Sequence, residues 1–155
     1  GSGALSIALL RAGASVTGYE LRDDFARVAR KNVVRFLGDG QDYDVQSRDV
    51  YEGIELRDLD RVVLDLPEPW RVVKHAEAAL HPGGIFCAYL PTIGQVAELH
   101  EALAASAFGL ATTIEVLQRS WHVKGQSVRP DHRMVAHTGF LTAARLLSAE
   151  LELGP

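Results

Sequence analysis

The run Asp65-Leu66-Pro67-Glu68-Pro69-Trp70 follows directly on the apolar stretch Val62-Val63-Leu64. In open parallel sheets ligands bind outside the carboxyl ends of the strands, and Asp65 stands at such an end. Pro67 and Pro69 each lock their own φ and restrict the residue before them, which stiffens the loop enough to hold a reacting group in place. A carboxylate held there can accept a hydrogen bond, take up a proton or stabilise a positive charge as it develops. The plainer alternatives are a capping or turn aspartate for Asp65 and core packing for Trp70.

A second set of candidates lies upstream. Gly1 and Gly3, with Ser2 between them and Ala4 opening a helical stretch, let a ligand approach the backbone at a helix N-terminus. Glu20 ends a short strand roughly 20 residues after the glycines, where a carboxylate can accept hydrogen bonds from both ribose hydroxyls of an adenosine-bearing cofactor. Asp49 follows a weak strand. It could meet an adenine amino group, with Val50 against the ring, or it could form a turn. The glycines and Glu20 suit a nicotinamide dinucleotide as well as S-adenosylmethionine, so they leave the cofactor open.

These groups need a scaffold, and the pattern supplies one. Residues 4–12 predict a short helix closed by Gly13, and 15–19 a strand. A second helix, capped by Asp23 or Asp24, runs to about Phe36 with Phe25, Val28, Ala29, Val33 and Phe36 on one face. Residues 44–48 are a weak strand and 61–66 a buried one. Residues 70–80 predict a helix, His81-Pro82-Gly83-Gly84 a turn, 85–90 a strand stopped by Pro91, and 95–105 a helix. Two long strands, 113–123 and 133–146, are joined by a polar loop at 124–132. Strands separated by helices imply right-handed crossovers and a mostly parallel sheet. The last pair, with no helix between, implies an antiparallel ending. The expected fold is therefore α/β and doubly wound with a C-terminal hairpin, one domain over 1–148 and a tail at 149–155.

Composition narrows the function classes. The chain has 155 residues, 47% apolar and 23% charged, as in a globular domain with a real core. No run approaches the ~20 apolar residues of a membrane helix, and no basic leader with a cleavage-like start is present. Cys87 is the one cysteine, so no intramolecular disulfide forms; it reads as a buried thiol, in a reducing, cytoplasmic setting by default. A net charge of −4 excludes a uniformly basic nucleic-acid binder. Charge is uneven, though: Arg119, Lys124, Arg129 and Arg133 stand against Asp131 alone, with His122 and His132 among them. That stretch is either a solvated tip or a local phosphate-contact surface.

Taken in order, these segments resemble the tRNA adenine-58 N1-methyltransferases, the TrmI family. Gly1-Ser2-Gly3-Ala4-Leu5 is similar to the end of that family's glycine-rich cofactor motif, and Tyr19-Glu20 to its ribose-binding strand end. The run from Asp65 to Trp70 resembles its catalytic loop. Ala88-Tyr89-Leu90-Pro91, with Gln95-Val96, resembles the segment after its fifth strand. Ser120-Trp121, Val123, Arg129-Pro130 and His137-Thr138-Gly139-Phe140-Leu141 resemble its terminal hairpin.

The resemblance implies a Rossmann-like, class I S-adenosylmethionine-dependent methyltransferase fold and methyl transfer to N1 of an adenine in the tRNA T-loop. It implies that Gly1, Ser2, Gly3, Ala4, Glu20, Leu21, Asp49, Val50 and Asp65 hold the cofactor. Asp65 would act at the N6 and N1 edge of the base. Tyr89 would stack on or orient that base, unless it is a core tyrosine with its hydroxyl satisfied. Arg119, Lys124, Arg129 and Arg133 would contact RNA. His137 would contact RNA or a neighbouring subunit, or be a hydrogen-bonded structural residue. A homotetramer follows by resemblance, and neither membrane nor metal is called for. In the family an N-terminal β-domain, the first sheet strand and the rest of the glycine motif precede the position of Gly1. The chain is therefore expected to be a piece, unstable or inactive alone, with an engineered Gly-Ser-Gly start as the rival explanation. Three other readings stay open: a Rossmann-type NAD oxidoreductase, a non-catalytic RNA-binding subunit, and a small-molecule methyltransferase.

Overall fold

The computed structural model describes residues 1–134 and 137–148, so the expected tail at 149–155 lies outside the described residues. The chain divides into two compact units, Gly1–Gly53 and Ile54–Pro155. Its described strands pair in three separate groups.

In the first unit, helix α1 (Ala4–Arg11) begins after Gly3. Gly3 has φ +83°, and a Cβ there would come 3.0 Å from the Cα of Ala29, so both the turn and the close approach of the next helix require glycine. Strand β1 (Val16–Tyr19) runs parallel to β2 (Tyr43–Gln46), in register from Val16↔Tyr43 to Tyr19↔Gln46. Helix α2 (Asp23–Leu37) connects them and ends at Gly38, φ +81°. Two expectations for α2 are corrected. Its N-cap is Arg22 rather than Asp23 or Asp24, which sit in the first turn where the helix dipole favours acids. Its buried residues are Ala26, Ala29 and Val33, while Phe25, Val28 and Phe36 are exposed. Small side chains face inward because the glycine turn packs against Ala29; Phe25 instead lies under the Arg22 guanidinium, 4.0 Å from its ring centre.

The second unit is built on a four-stranded sheet in the order β3-β4-β8-β5. Strand β3 (Leu59–Asp65) leads through a 3-10 turn (Pro69–Val72) into α3 (Val73–Ala79), which together replace the single helix expected over 70–80. Strand β4 (Leu80–Leu90) runs parallel to β3. The expected turn at His81-Pro82-Gly83-Gly84 lies inside β4 as a bulge: Leu59 pairs with Leu80, and Arg61 next pairs with Ile85. Helix α4 (Ile93–Ala104) follows, then β5 (Phe108–Glu115).

The two long strands expected at the end are shorter and differently bounded. Strand β8 (Phe140–Leu146) lies antiparallel between β4 and β5. The region between β5 and β8 holds its own hairpin, β6 (Trp121–Lys124) and β7 (Ser127–Pro130), where a loop was expected over 124–132. The core of this unit is Phe86, Leu90, Leu99, Leu103, Val72 and Val73, with Phe108 tilted against Phe86 at 5.6 Å. The fully buried Thr142 is satisfied by Thr113 at 2.7 Å, which bonds His100 at 2.8 Å. Cys87 is only half-buried, and that burial pushes its thiol pKa up.

Candidate active site

In the first unit the glycine turn and Glu20 meet. Asn32 Nδ2 of α2 donates to the Ser2 carbonyl at 2.9 Å, fixing the turn from below. Glu20 follows the last residue of β1 and extends its ladder, its amide donating to the Gln46 carbonyl at 3.0 Å. Its carboxylate accepts from the Gly1 amino group at Oε2 and from the Arg22 amide at Oε1, the latter at 3.0 Å. Burial pushes the Glu20 pKa up, but these hydrogen bonds outweigh it and hold the carboxyl below its ordinary range. The Arg22 amide thus fixes one carboxylate oxygen at the end of the strand. Gly1, Ser2, Ala4 and Leu21 are exposed, and nothing lies within 4 Å of where a Gly1 Cβ would be.

Asp49, three positions past the end of β2, caps a turn: Oδ1 accepts from the Tyr51 amide at 2.9 Å, and its carbonyl accepts from Glu52 at 3.1 Å. Oδ2 has no partner among the described residues. Val50 beside it is half-buried.

In the second unit Asp65 and Tyr89 are register partners at the carboxyl ends of the parallel strands β3 and β4. Asp65 is exposed, and no described residue bonds its carboxylate. The loop behind it is pinned. Pro69 is buried, Trp70 half-buried, Arg71 pairs with Glu68 at 2.8 Å, and Gln95 Nε2 donates to the Pro67 carbonyl at 3.0 Å. Tyr89 combines features of both its readings. Its hydroxyl donates to the Thr138 carbonyl and its ring lies against Gly139, where any Cβ would fall inside the ring's van der Waals envelope. Yet the residue remains 38% exposed.

His137 ties three elements together. Nδ1 meets Glu115 Oε1 of β5 at 2.6 Å, Nε2 meets the Pro91 carbonyl at 2.6 Å, and the ring lies tilted against Phe140 of β8, 5.0 Å between centres. Glu115 first, and then the Pro91 carbonyl, raise its pKa.

The four basic candidates do not form one cluster. Lys124 and Arg129 share one face of the β6–β7 hairpin with His122 and Ser127, while Trp121, Val123, Val128 and Pro130 share the other. Arg119 precedes the hairpin and Arg133 follows it, outside its ladder. All four are exposed, with no carboxylate partner among the described residues. Sequence reasoning gave no role to Asn32, Thr92 or Glu115, and read Gln95 only as part of a resemblance. The spacing Thr92-x-x-Gln95, a capping-box pattern, was the available signal for the last.

Comparison with known proteins fits this geometry. The family model of the tRNA methyltransferase complex GCD14 subunit matches residues 1–137. The tRNA (adenine(57)-N(1)/adenine(58)-N(1))-methyltransferase TrmI of Methanocaldococcus jannaschii is 36% identical over 94% of this chain and 62% of its own length. The tRNA (adenine(58)-N(1))-methyltransferase TrmI of Thermus thermophilus is 37% identical over 94% of this chain and 58% of its own. Among solved structures, an S-adenosylmethionine-dependent O-methyltransferase from Thermotoga maritima superposes with TM-score 0.85 at 33% identity, covering 96% of this chain and 57% of that one. The tRNA (m1A58) methyltransferase TrmI from Aquifex aeolicus superposes with TM-score 0.82 at 28% identity, over 96% of this chain and 60% of that one. The fold is thus that of the class I S-adenosylmethionine-dependent methyltransferases, and the dehydrogenase alternative is set aside. The chain spans about three-fifths of the length of the curated relatives it matches.

Proposed function

From the premise that the chain belongs to the family of the tRNA methyltransferase complex GCD14 subunit, we propose that it carries the catalytic machinery for transferring a methyl group from S-adenosylmethionine to N1 of adenine 58 in the tRNA T-loop. The observation that carries this reading is Asp65: an exposed carboxylate at a strand end, opposite Tyr89, with no bond from any described residue, on a loop that is itself fixed.

The residues present fit the methyl donor. Gly1 leaves open space before α1, Glu20 offers two oxygens to a diol, and Asp49 keeps Oδ2 for an amino group. Ser2, Ala4, Leu21 and Val50 complete the adenosine side. When bound, S-adenosylmethionine supplies an electrophilic methyl on a sulfonium, so the protein's task is chiefly alignment. N1 of adenine is a weak nucleophile, and its methylation leaves the ring cationic. Asp65 accepts the N6 hydrogen bond, which orients the N1 lone pair, and its negative charge stabilises the cationic product. The exposed part of the Tyr89 ring offers a surface for the extruded base. Lys124 and Arg129 contact the RNA backbone from one hairpin face, with Arg119 and Arg133 flanking. The bare apolar face of the same hairpin suits self-association, a homotetramer by resemblance.

The test is Asp65→Asn in the full-length protein. Turnover should fall on the order of 10²- to 10⁴-fold, with S-adenosylmethionine affinity nearly unchanged by calorimetry. Equal loss of affinity and turnover would remove Asp65 from the catalytic role.

A further inference from the structure

Asp65 has no side-chain partner among the described residues, so its direction is set by the backbone of the 65–70 loop. What fixes that backbone is therefore part of the machinery. Thr92 is the N-cap of α4, and Thr92-Ile93-Gly94-Gln95 has capping-box spacing. Half of the box forms: the Gln95 amide N–H donates to Thr92 Oγ1 at 3.3 Å. In the usual second half, the glutamine side chain reaches back to the N-cap N–H. Here it is diverted. The Thr92 hydroxyl donates to Gln95 Oε1 at 2.7 Å, and the freed Nε2 donates to the Pro67 carbonyl at 3.0 Å. The helix carrying Gln95 is anchored in the core by Val96, Leu99 and Leu103. Pro67 has no N–H of its own, so this carbonyl is its one backbone handle.

We propose that Gln95 is a positioning residue: its amide, braced by the Thr92 hydroxyl and by a buried helix, holds the Pro67 carbonyl and thereby aims the Asp65 carboxylate. The proposal rests on Asp65 being the catalytic carboxylate. It also makes a distinction that a merely structural cap does not. A capping box accepts glutamate or glutamine equally, because both offer an acceptor to the N-cap. Only glutamine offers a donor to Pro67. Ionised glutamate would keep the bond from the Thr92 hydroxyl and set an oxygen against the Pro67 carbonyl.

The experiment compares Gln95→Glu with the unaltered full-length protein by three readings: thermal melting, amide hydrogen exchange over residues 66–71, and tRNA methylation kinetics with S-adenosylmethionine affinity. The expected result is an unchanged melting temperature and affinity, faster exchange in the loop, and a kcat lowered on the order of 10- to 100-fold, as for a small misplacement of a reacting group. Loop exchange and kcat equal to those of the unaltered protein would overturn the proposal. Should the unaltered protein transfer no methyl group at all, the reading of Asp65 falls. The exchange comparison then decides separately: faster in Gln95→Glu supports the tie, and equal rates overturn it.

Discussion

The 65–70 loop is bonded to α4 through Gln95, while the 121–130 hairpin is held by its own short ladder and by the Asp131 amide donating to the Ser120 carbonyl at 3.0 Å. Around the loop, Tyr89, Thr138, Gly139, His137, Pro91 and Glu115 form further ties between β4, β5 and the start of β8. Around the hairpin, Trp121, Val123, Val128, Lys124 and Arg129 are all exposed. On the proposed reading Asp65 is a reacting carboxylate, which tolerates little displacement, and over-determined surroundings suit that role. A surface that meets a large flexible partner gains from adaptability, and a lone two-stranded hairpin is only marginally stable in water.

That contrast can be broken most forcefully at Gly139. Gly139→Ala drives a methyl group into the Tyr89 ring, and should displace the tyrosine from Thr138. We expect about 1–3 kcal/mol of lost stability by denaturant melting, together with sharply reduced turnover. A stable, active variant would show that the tight end of the sheet has more slack than its contacts imply.

The hairpin should respond in the opposite sense. Lys124→Ala with Arg129→Ala should leave the melting temperature unchanged. It should weaken tRNA binding and lower the slope of log affinity against log salt by about 1 per cation removed. A fall in melting temperature instead would mean that the basic face is packed and not free.

The smallest effect concerns pH. Both His137 ring nitrogens face acceptors, so only the imidazolium donates to both. Its pKa is raised in the fold by Glu115 first and by Pro91 second, so its stabilisation is complete below the unfolded imidazole pKa and is lost as pH rises through the folded value. From about pH 6.5 upward, then, the melting temperature should decline more in the parent than in His137→Gln. Parallel pH profiles for the two would remove His137 as a charged tie. Glu115 is the charged group bonded to it, and the only charged residue of β8, Arg145, lies toward the strand's far end.

The same contrast explains what the sequence disclosed. The strand-end placement of Asp65 and Glu20 and the strand–helix alternation were legible because each depends on local chemistry: a carboxylate at a strand end, a proline-stiffened loop, an apolar run. Bulk is a poor sign of the buried face of α2: the glycine turn packs against small Ala29, and Ala26 and Val33 are buried with it while Phe25 and Phe36 are exposed. The hairpin was missed because its strands are four residues each, too short for their alternation of apolar and polar side chains to stand out. Gly125, φ +55°, at the first position of a two-residue connection was the signal to read. The ties of Gln95, His137 and Tyr89 join residues 22 to 49 positions apart, and no local pattern announces them.

The placement of β8 between β4 and β5 has a consequence for how the chain is made. Neither β4 nor β5 touches the other's ladder; each waits for the strand that leaves the ribosome after both. Until Phe140–Leu146 emerges, two apolar strand edges stand unpaired in a nascent chain that already carries its exposed hairpin. Assembly of this unit is therefore gated by synthesis of its centre, with slow, long-range pairing as the final step. A stalled or prematurely terminated product lacks the middle of its sheet, and would be a substrate for chaperones and proteases rather than a slightly shortened protein.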